Sequence, residues 1–89
     1  GIAEESNNKE ILDAILLLAK TEGIFTEPAG GVSVAMLKKM VESGKIDKDE
    51  TTVCYVTGNG LKATESLMEV LPKPQVMQAD VAKILAVVK

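Results

Sequence analysis

The stretch from residue 51 to residue 62 constrains the fold of this chain more than any other. It reads Thr-Thr-Val-Cys-Tyr-Val-Thr-Gly-Asn-Gly-Leu-Lys, a β-branched and apolar run that ends in a hydroxyl residue and two glycines. Such a run is typical of a strand covered on both faces, as in a parallel sheet. In open α/β sheets the ligand crevice lies just beyond the carboxyl ends of the strands. The pattern therefore predicts a strand over 51–56 that delivers Thr57 to the rim of a sheet.

Two helices are predicted before this strand. Asn7 and Glu10 have the spacing of a capping box, which predicts a helix over about 8–21, and Gly23 supplies a left-handed stop. A short extended segment follows over 24–27. Pro28 then suits the start of a second helix over about 29–43, because its missing N–H costs nothing in a first turn. The apolar residues of this helix, Val32 and Val41 among them, are predicted to face inward.

The remainder predicts a short helix over 64–71, an edge strand over 75–78, and a last helix over 81–88 capped by Asp80. The order is helix, short strand, helix, strand, helix, strand, helix. That order predicts a three-layer α/β arrangement, and a chain of 89 residues is expected to be one domain at most, or a piece of a larger one.

The first helix has an unusually wide apolar surface. Ile11, Ala14, Ile15 and Leu18 form one stripe, and a second stripe lies beside it at positions 12, 16 and 19. A helix of this kind is covered on more than one side. In so short a chain, this predicts contact with polypeptide outside the 89 residues.

Composition excludes several classes of function. The chain carries ten lysines and thirteen acids, a net charge of −3, with no histidine and a single cysteine, Cys54. A basic stripe for nucleic acid, the common zinc ligand sets and histidine-assisted nucleophiles are therefore not expected, and no metal site is predicted.

No apolar run approaches a membrane span of roughly 20 residues, and residues 1–4 lack signal-peptide character. The lone thiol fits a reducing compartment, so a cytoplasmic location is predicted.

Two residues are candidates for a ligand site. The Thr57 hydroxyl could donate a hydrogen bond to a ligand, although a threonine before glycine commonly only caps a turn. Glu27 could place an acid beside a bound ring, although a carboxylate at a helix start is also stabilised by the helix dipole alone. Lys62 is interpreted as a solvated lysine and not as an imine-forming one.

Taken together, residues 21–31, the lysine-containing helix up to Gly44, and the string Val-Thr-Gly-Asn-Gly-Leu-Lys over 56–62 resemble the carboxyl-terminal part of the threonine synthase family. That family consists of pyridoxal-phosphate enzymes of fold type II. The resemblance covers residues 8–62, and 63–89 is expected to be a variable tail. It implies the conversion of O-phosphohomoserine and water to threonine and phosphate, in the full-length enzyme with pyridoxal 5'-phosphate. It also implies that Thr57 faces the pyridine nitrogen and that Glu27 lies near the ring.

The departures from the family pattern carry further expectations. The family's cofactor-anchoring lysine, its glycine-rich phosphate cup and its asparagine beside the cofactor hydroxyl do not occur in these 89 residues, so the chain is expected to be an inactive fragment with no catalytic residue of its own. Self-association or a homodimer is expected. The alternatives are a fragment of cysteate synthase or of a serine/threonine dehydratase, and an independent, non-enzymatic α/β interaction module.

Overall fold

Helix α1 occupies Asn8–Glu22 in the computed structural model, which describes residues 1–88. Its first turn is closed by the predicted capping box. The Asn7 side chain accepts from the Glu10 N–H at 2.9 Å, and Glu10 accepts from the Asn7 N–H at 2.9 Å. Gly23 ends the helix with a left-handed φ of 68°, where a side chain would be strained. The predicted helix is therefore confirmed at both ends.

Helix α2 occupies Pro28–Glu42, with Pro28 in the first turn as predicted. Glu27 is its N-cap residue, but its side chain makes no capping hydrogen bond. The helix ends at Ser43, and Gly44 takes a φ of 75° just beyond it. This second prediction is confirmed to within one residue.

Helices α1 and α2 pack against each other and form most of the small core. Its buried apolar residues are Ala14 and Ile15 from α1, Ala35 from α2, and Leu67 from the following segment. Gly31 lies at the crossing, where an added Cβ would come within 2.7 Å of Ile15 Cγ1 and 3.0 Å of the Ile11 carbonyl oxygen. The helices approach this closely because Gly31 has no side chain.

The apolar surface of α1 is only partly covered by residues 1–88. Its first stripe meets α2, but Leu17 remains 40% exposed. Val32 and Val41 of α2, both predicted to face inward, are 37% and 52% exposed. The inward prediction for these two valines is therefore wrong within this chain, because nothing in residues 1–88 covers their side of the helix.

The strand predicted over 51–56 does not form. Within residues 1–88 the only β pairing is an isolated antiparallel bridge between Thr26 and Asn59. A strand is defined by hydrogen bonds to a neighbouring strand, and no other described segment runs beside 51–56. Burial nevertheless alternates from Val53 to Gly58, the period of 2 that an extended backbone gives.

The predictions for the tail are corrected in two places. The helix predicted over 64–71 is reduced to a 3-10 turn at Glu65–Leu67, since Thr64 offers no side-chain cap and Pro72 stops propagation. A separate 3-10 turn at Gly60–Lys62 precedes it. The edge strand predicted over 75–78 is an exposed irregular segment. The last helix is confirmed as α3, Val81–Val87, with Asp80 accepting from the Lys83 N–H at 3.2 Å.

The molecule is elongated. Its radius of gyration is 17.1 Å, against about 12 Å for a compact chain of this length. The segment after Leu67 and all of α3 are exposed, with Val76 at 98%. The predicted three-layer arrangement is therefore not found in residues 1–88. They form one layer of helices and an extended segment that nothing covers.

Acidification should weaken the start of α1. The hydrogen bond from the Asn7 N–H, and next the Lys39 ammonium at 3.1 Å, hold the pKa of Glu10 below its ordinary value of 4.5. Because the pKa of Glu10 is lower in the folded state than in the unfolded state, its ionised carboxylate stabilises the folded state. This stabilisation is complete above about pH 4.5 and is lost as the pH falls through the folded-state pKa. Denaturant unfolding between pH 6 and pH 3 should show this loss, and Glu10→Gln should remove part of it. The control is Glu22→Gln, an exposed carboxylate at the other end of α1; an equal effect there would contradict the assignment.

Candidate functional site

Two segments that lie about thirty residues apart in sequence meet next to the start of α2. The Gly60 N–H donates to the Phe25 carbonyl at 3.0 Å, and the Glu27 N–H donates to the Gly58 carbonyl at 3.0 Å. These two backbone bonds form the antiparallel bridge between Thr26 and Asn59. The two segments that carry the candidate site residues Glu27 and Thr57 are therefore joined directly.

Glycines make this close approach possible. A Cβ on Gly60 would overlap the Phe25 ring, and one on Gly58 would overlap the Glu27 carboxylate. A Cβ on Gly30, in the first turn of α2, would overlap the Thr26 hydroxyl. Packing against the neighbouring segment therefore accounts for glycine at all three positions.

Thr57 lies at the open edge of this junction. Its side chain is exposed, and no hydrogen bond to it is found among residues 1–88. The carbonyl of neighbouring Gly58 accepts two hydrogen bonds, so the backbone is anchored one residue after Thr57 while the Thr57 side chain remains accessible. Thr57 is thus neither sealed in the core nor used as a turn cap.

Glu27 packs over Gly58 and is only 14% exposed along its side chain. Its carboxylate pairs with Lys62 at 3.3 Å, and the Lys62 side chain is 72% exposed. An ion pair with so exposed a partner is worth little for stability. The pair nevertheless brings Lys62 to the junction, where Glu27 and Thr57 also lie. Lys62 is solvated as predicted.

Thr26 is a residue of the junction that the sequence analysis missed. It is completely buried, and its hydroxyl donates to the Gly58 carbonyl at 3.0 Å. The signal that could have revealed Thr26 is Gly30, four residues later. A glycine in the first turn of a helix leaves room for a buried hydroxyl on the residue four positions before it. In the sequence alone, Thr26 looks like an ordinary residue of a short extended segment.

Two surface grooves lie outside the junction. Grooves of about 290 and 280 Å³ lie against α1, and neither is lined by Thr57 or Glu27. Within the described residues no cluster of three or more metal-ligating side chains occurs. No helix in residues 1–88 is long and apolar enough to cross a bilayer.

A family model for pyridoxal-phosphate dependent enzymes matches residues 1–58. The chain therefore belongs to the pyridoxal-phosphate dependent enzyme family, which implies fold type II and pyridoxal phosphate as the cofactor of the full-length enzyme.

Several threonine synthases are similar to this chain. The threonine synthase of Methanocaldococcus jannaschii is 42% identical over 89 residues, which is 100% of this chain and 22% of that protein. That of Methanosarcina acetivorans is 44% identical over 84 residues, or 94% and 21%. That of Bacillus sp. (strain ULM1) is 59% identical over 62 residues, or 70% and 18%. The chain spans about a fifth of the length of these relatives.

The described residues suit one end of the cofactor. The exposed Thr57 hydroxyl is a free donor for a ring nitrogen. Glu27, held over Gly58, lies on the same junction. The chemistry of these groups therefore fits contact with the pyridine ring of pyridoxal phosphate.

Proposed function

We propose that this chain is the carboxyl-terminal part of a threonine synthase, which converts O-phosphohomoserine and water to threonine and phosphate. The similarity to threonine synthases over the whole chain supports this, at 42% identity to the Methanocaldococcus jannaschii protein. The structural observation that carries the proposal is the junction itself. It leaves a single accessible hydroxyl, that of Thr57, on a backbone fixed from two sides.

In this proposal Thr57 donates a hydrogen bond to the pyridine nitrogen of the cofactor. Bound pyridoxal phosphate supplies an electron sink for a substrate carbanion. A neutral hydroxyl holds the nitrogen in place without protonating it, so less charge is drawn into the ring. That favours elimination and re-addition of water over transamination. Glu27 contributes a carboxylate near the ring edge.

The rest of the site belongs to polypeptide beyond these 89 residues. The relatives are about four times as long or more, and large apolar side chains remain uncovered here, among them Val53 at 74% and Tyr55 at 77% exposed. Uncovered apolar surface of this extent marks a protein contact. In the enzyme we expect the remaining polypeptide to cover it; the chain alone is expected to self-associate and to be inactive. The enzyme is expected to act in the cytoplasm, as a homodimer.

The reaction is tested with the full-length enzyme that contains this segment. Phosphate release from O-phosphohomoserine should be accompanied by an equal amount of threonine, and both should require pyridoxal phosphate. Formation of 2-oxobutanoate from threonine without phosphate release would instead identify a dehydratase. Sulfite-dependent formation of cysteate would identify a cysteate synthase. Either result would contradict the proposed reaction.

A further inference from the structure

We infer that Thr26 is a positioning residue for Thr57. Its buried hydroxyl holds the Gly58 carbonyl and thereby fixes the direction in which the preceding residue presents its own hydroxyl. This inference rests on the proposed contact between Thr57 and the cofactor ring. It adds a residue that neither touches the cofactor nor carries the reaction.

The Gly58 carbonyl receives two donors from consecutive residues. The Thr26 hydroxyl and the Glu27 N–H each lie 3.0 Å from this oxygen. A carbonyl oxygen has two lone pairs, so this acceptor is fully used. Two bonds from different directions define the orientation of the carbonyl, whereas one bond would leave it free to swing. The Gly58 carbonyl belongs to the peptide group that joins Gly58 to Asn59, so the two bonds anchor the backbone immediately after Thr57.

The Thr26 hydroxyl has no alternative partner in water. Thr26 is 0% exposed, and the backbone of Gly30 closes over its hydroxyl so tightly that a Cβ there would overlap Oγ1. A hydroxyl in such a position must make its hydrogen bond within the protein. The bond to Gly58 is therefore kept in place by burial.

The junction does not depend on Thr26 for its existence. The bond from the Gly60 N–H to the Phe25 carbonyl and that from the Glu27 N–H to Gly58 are both backbone bonds. Thr26→Val would preserve the shape of the side chain and leave both of them in place. The variant should therefore fold and keep the two segments together, while the Gly58 carbonyl gains freedom to turn.

The experiment uses the full-length enzyme with Thr26→Val, Thr26→Ser and Thr21→Val. Thr21→Val is the matched control, because it removes an exposed hydroxyl that donates to the Leu17 carbonyl at 2.8 Å and takes no part in the hydrogen bonds of the junction. In Thr26→Val we expect kcat to fall about 10- to 100-fold, the loss that a small misplacement of a reacting group produces, with a much smaller change in KM. Thr26→Ser should restore most of the activity. Thr21→Val should match the parent enzyme.

Two readouts do not depend on turnover. In the apoenzyme, hydrogen exchange should show a partial loss of protection at the Glu27 amide in Thr26→Val, because the carbonyl that accepts from it turns more freely, but no loss in Thr21→Val. When pyridoxal phosphate is titrated into the apoenzyme, the absorbance maximum of the bound cofactor should shift in Thr26→Val and return in Thr26→Ser. Unchanged exchange and an unchanged spectrum in Thr26→Val would overturn the inference.

A double variant separates this inference from the proposed function. If Thr26 acts through Thr57, then Thr26→Val should add almost nothing in a Thr57→Val background, since residues in one network are not additive. If the two losses instead multiply, Thr26 acts independently and the inference fails while the proposed function stands. If Thr57→Val alone leaves the cofactor spectrum and kcat unchanged, the proposed contact with the ring itself is wrong.

Discussion

Replacing Thr57 with aspartate in the full-length enzyme should change the absorbance spectrum of the bound cofactor and the ratio of products formed. Threonine formation should fall by about two orders of magnitude, the size of loss that a misplaced contact at the reacting centre produces. The reason is electrostatic. Thr57 is exposed at the junction and offers a neutral donor, whereas a carboxylate there would share a proton with the pyridine nitrogen.

A protonated ring nitrogen draws more of the carbanion charge into the ring. Side products of transamination should therefore increase at the expense of threonine. Thr57→Ser is the matched control, because it keeps the hydroxyl and loses only a methyl group, and it should retain the parent spectrum and product ratio. A Thr57→Asp enzyme with both properties unchanged would refute the proposed role of this hydroxyl.

Replacing Gly31 with valine should destabilise the chain by about 2–3 kcal/mol, in the upper part of the range for an overpacked core. An added Cβ would lie 2.7 Å from Ile15 Cγ1 and 3.0 Å from the Ile11 carbonyl oxygen. A side chain can turn aside, but the backbone of α1 cannot, so the helices would have to separate. Better helix propensity offsets less than about 1 kcal/mol of this cost. Denaturant unfolding, followed by circular dichroism, measures the change.

Ala29→Val is the control for Gly31→Val. Ala29 is exposed and lies two positions earlier in the same helix, so its replacement changes helix propensity without entering the contact with α1. Its effect should stay within about 0.5 kcal/mol, as for most surface substitutions. Equal effects of the two substitutions would mean that the close contact at Gly31 does not hold α1 and α2 together.

The two long helices were predictable because their ends are encoded locally. Asn7 and Glu10 close the first turn of α1, Gly23 ends it, and Pro28 starts α2. Each of these signals acts within four residues of its target, so the sequence contains all that is needed. Asp80 gives the same local information for α3.

The strand over 51–56 could not be decided from the sequence in the same way. Its apolar, β-branched residues favour an extended backbone, and the alternating burial from Val53 to Gly58 agrees with that. Pairing, however, needs a neighbouring strand, which residues 1–88 do not contain. The apolar, β-branched pattern therefore predicts the extended conformation of residues 51–56 but not the strand that would pair with them.

The site was predictable in part. The resemblance to threonine synthases singled out Glu27 and Thr57, and the structure brings their segments together at Gly58. The roles of these two residues stay predictions. Thr26 escaped notice because its importance arises from burial and from a partner 32 residues away. No local pattern records such a contact.

The central claim is that Thr57 offers a neutral hydrogen bond to the ring nitrogen of the cofactor. Nitrogen-15 NMR of the full-length enzyme, loaded with pyridoxal phosphate labelled at the ring nitrogen, tests this directly. The account predicts the resonance of an unprotonated, hydrogen-bonded nitrogen that moves when Thr57 is replaced by valine. A resonance typical of a protonated nitrogen, or one that does not respond to the Thr57→Val substitution, would contradict it.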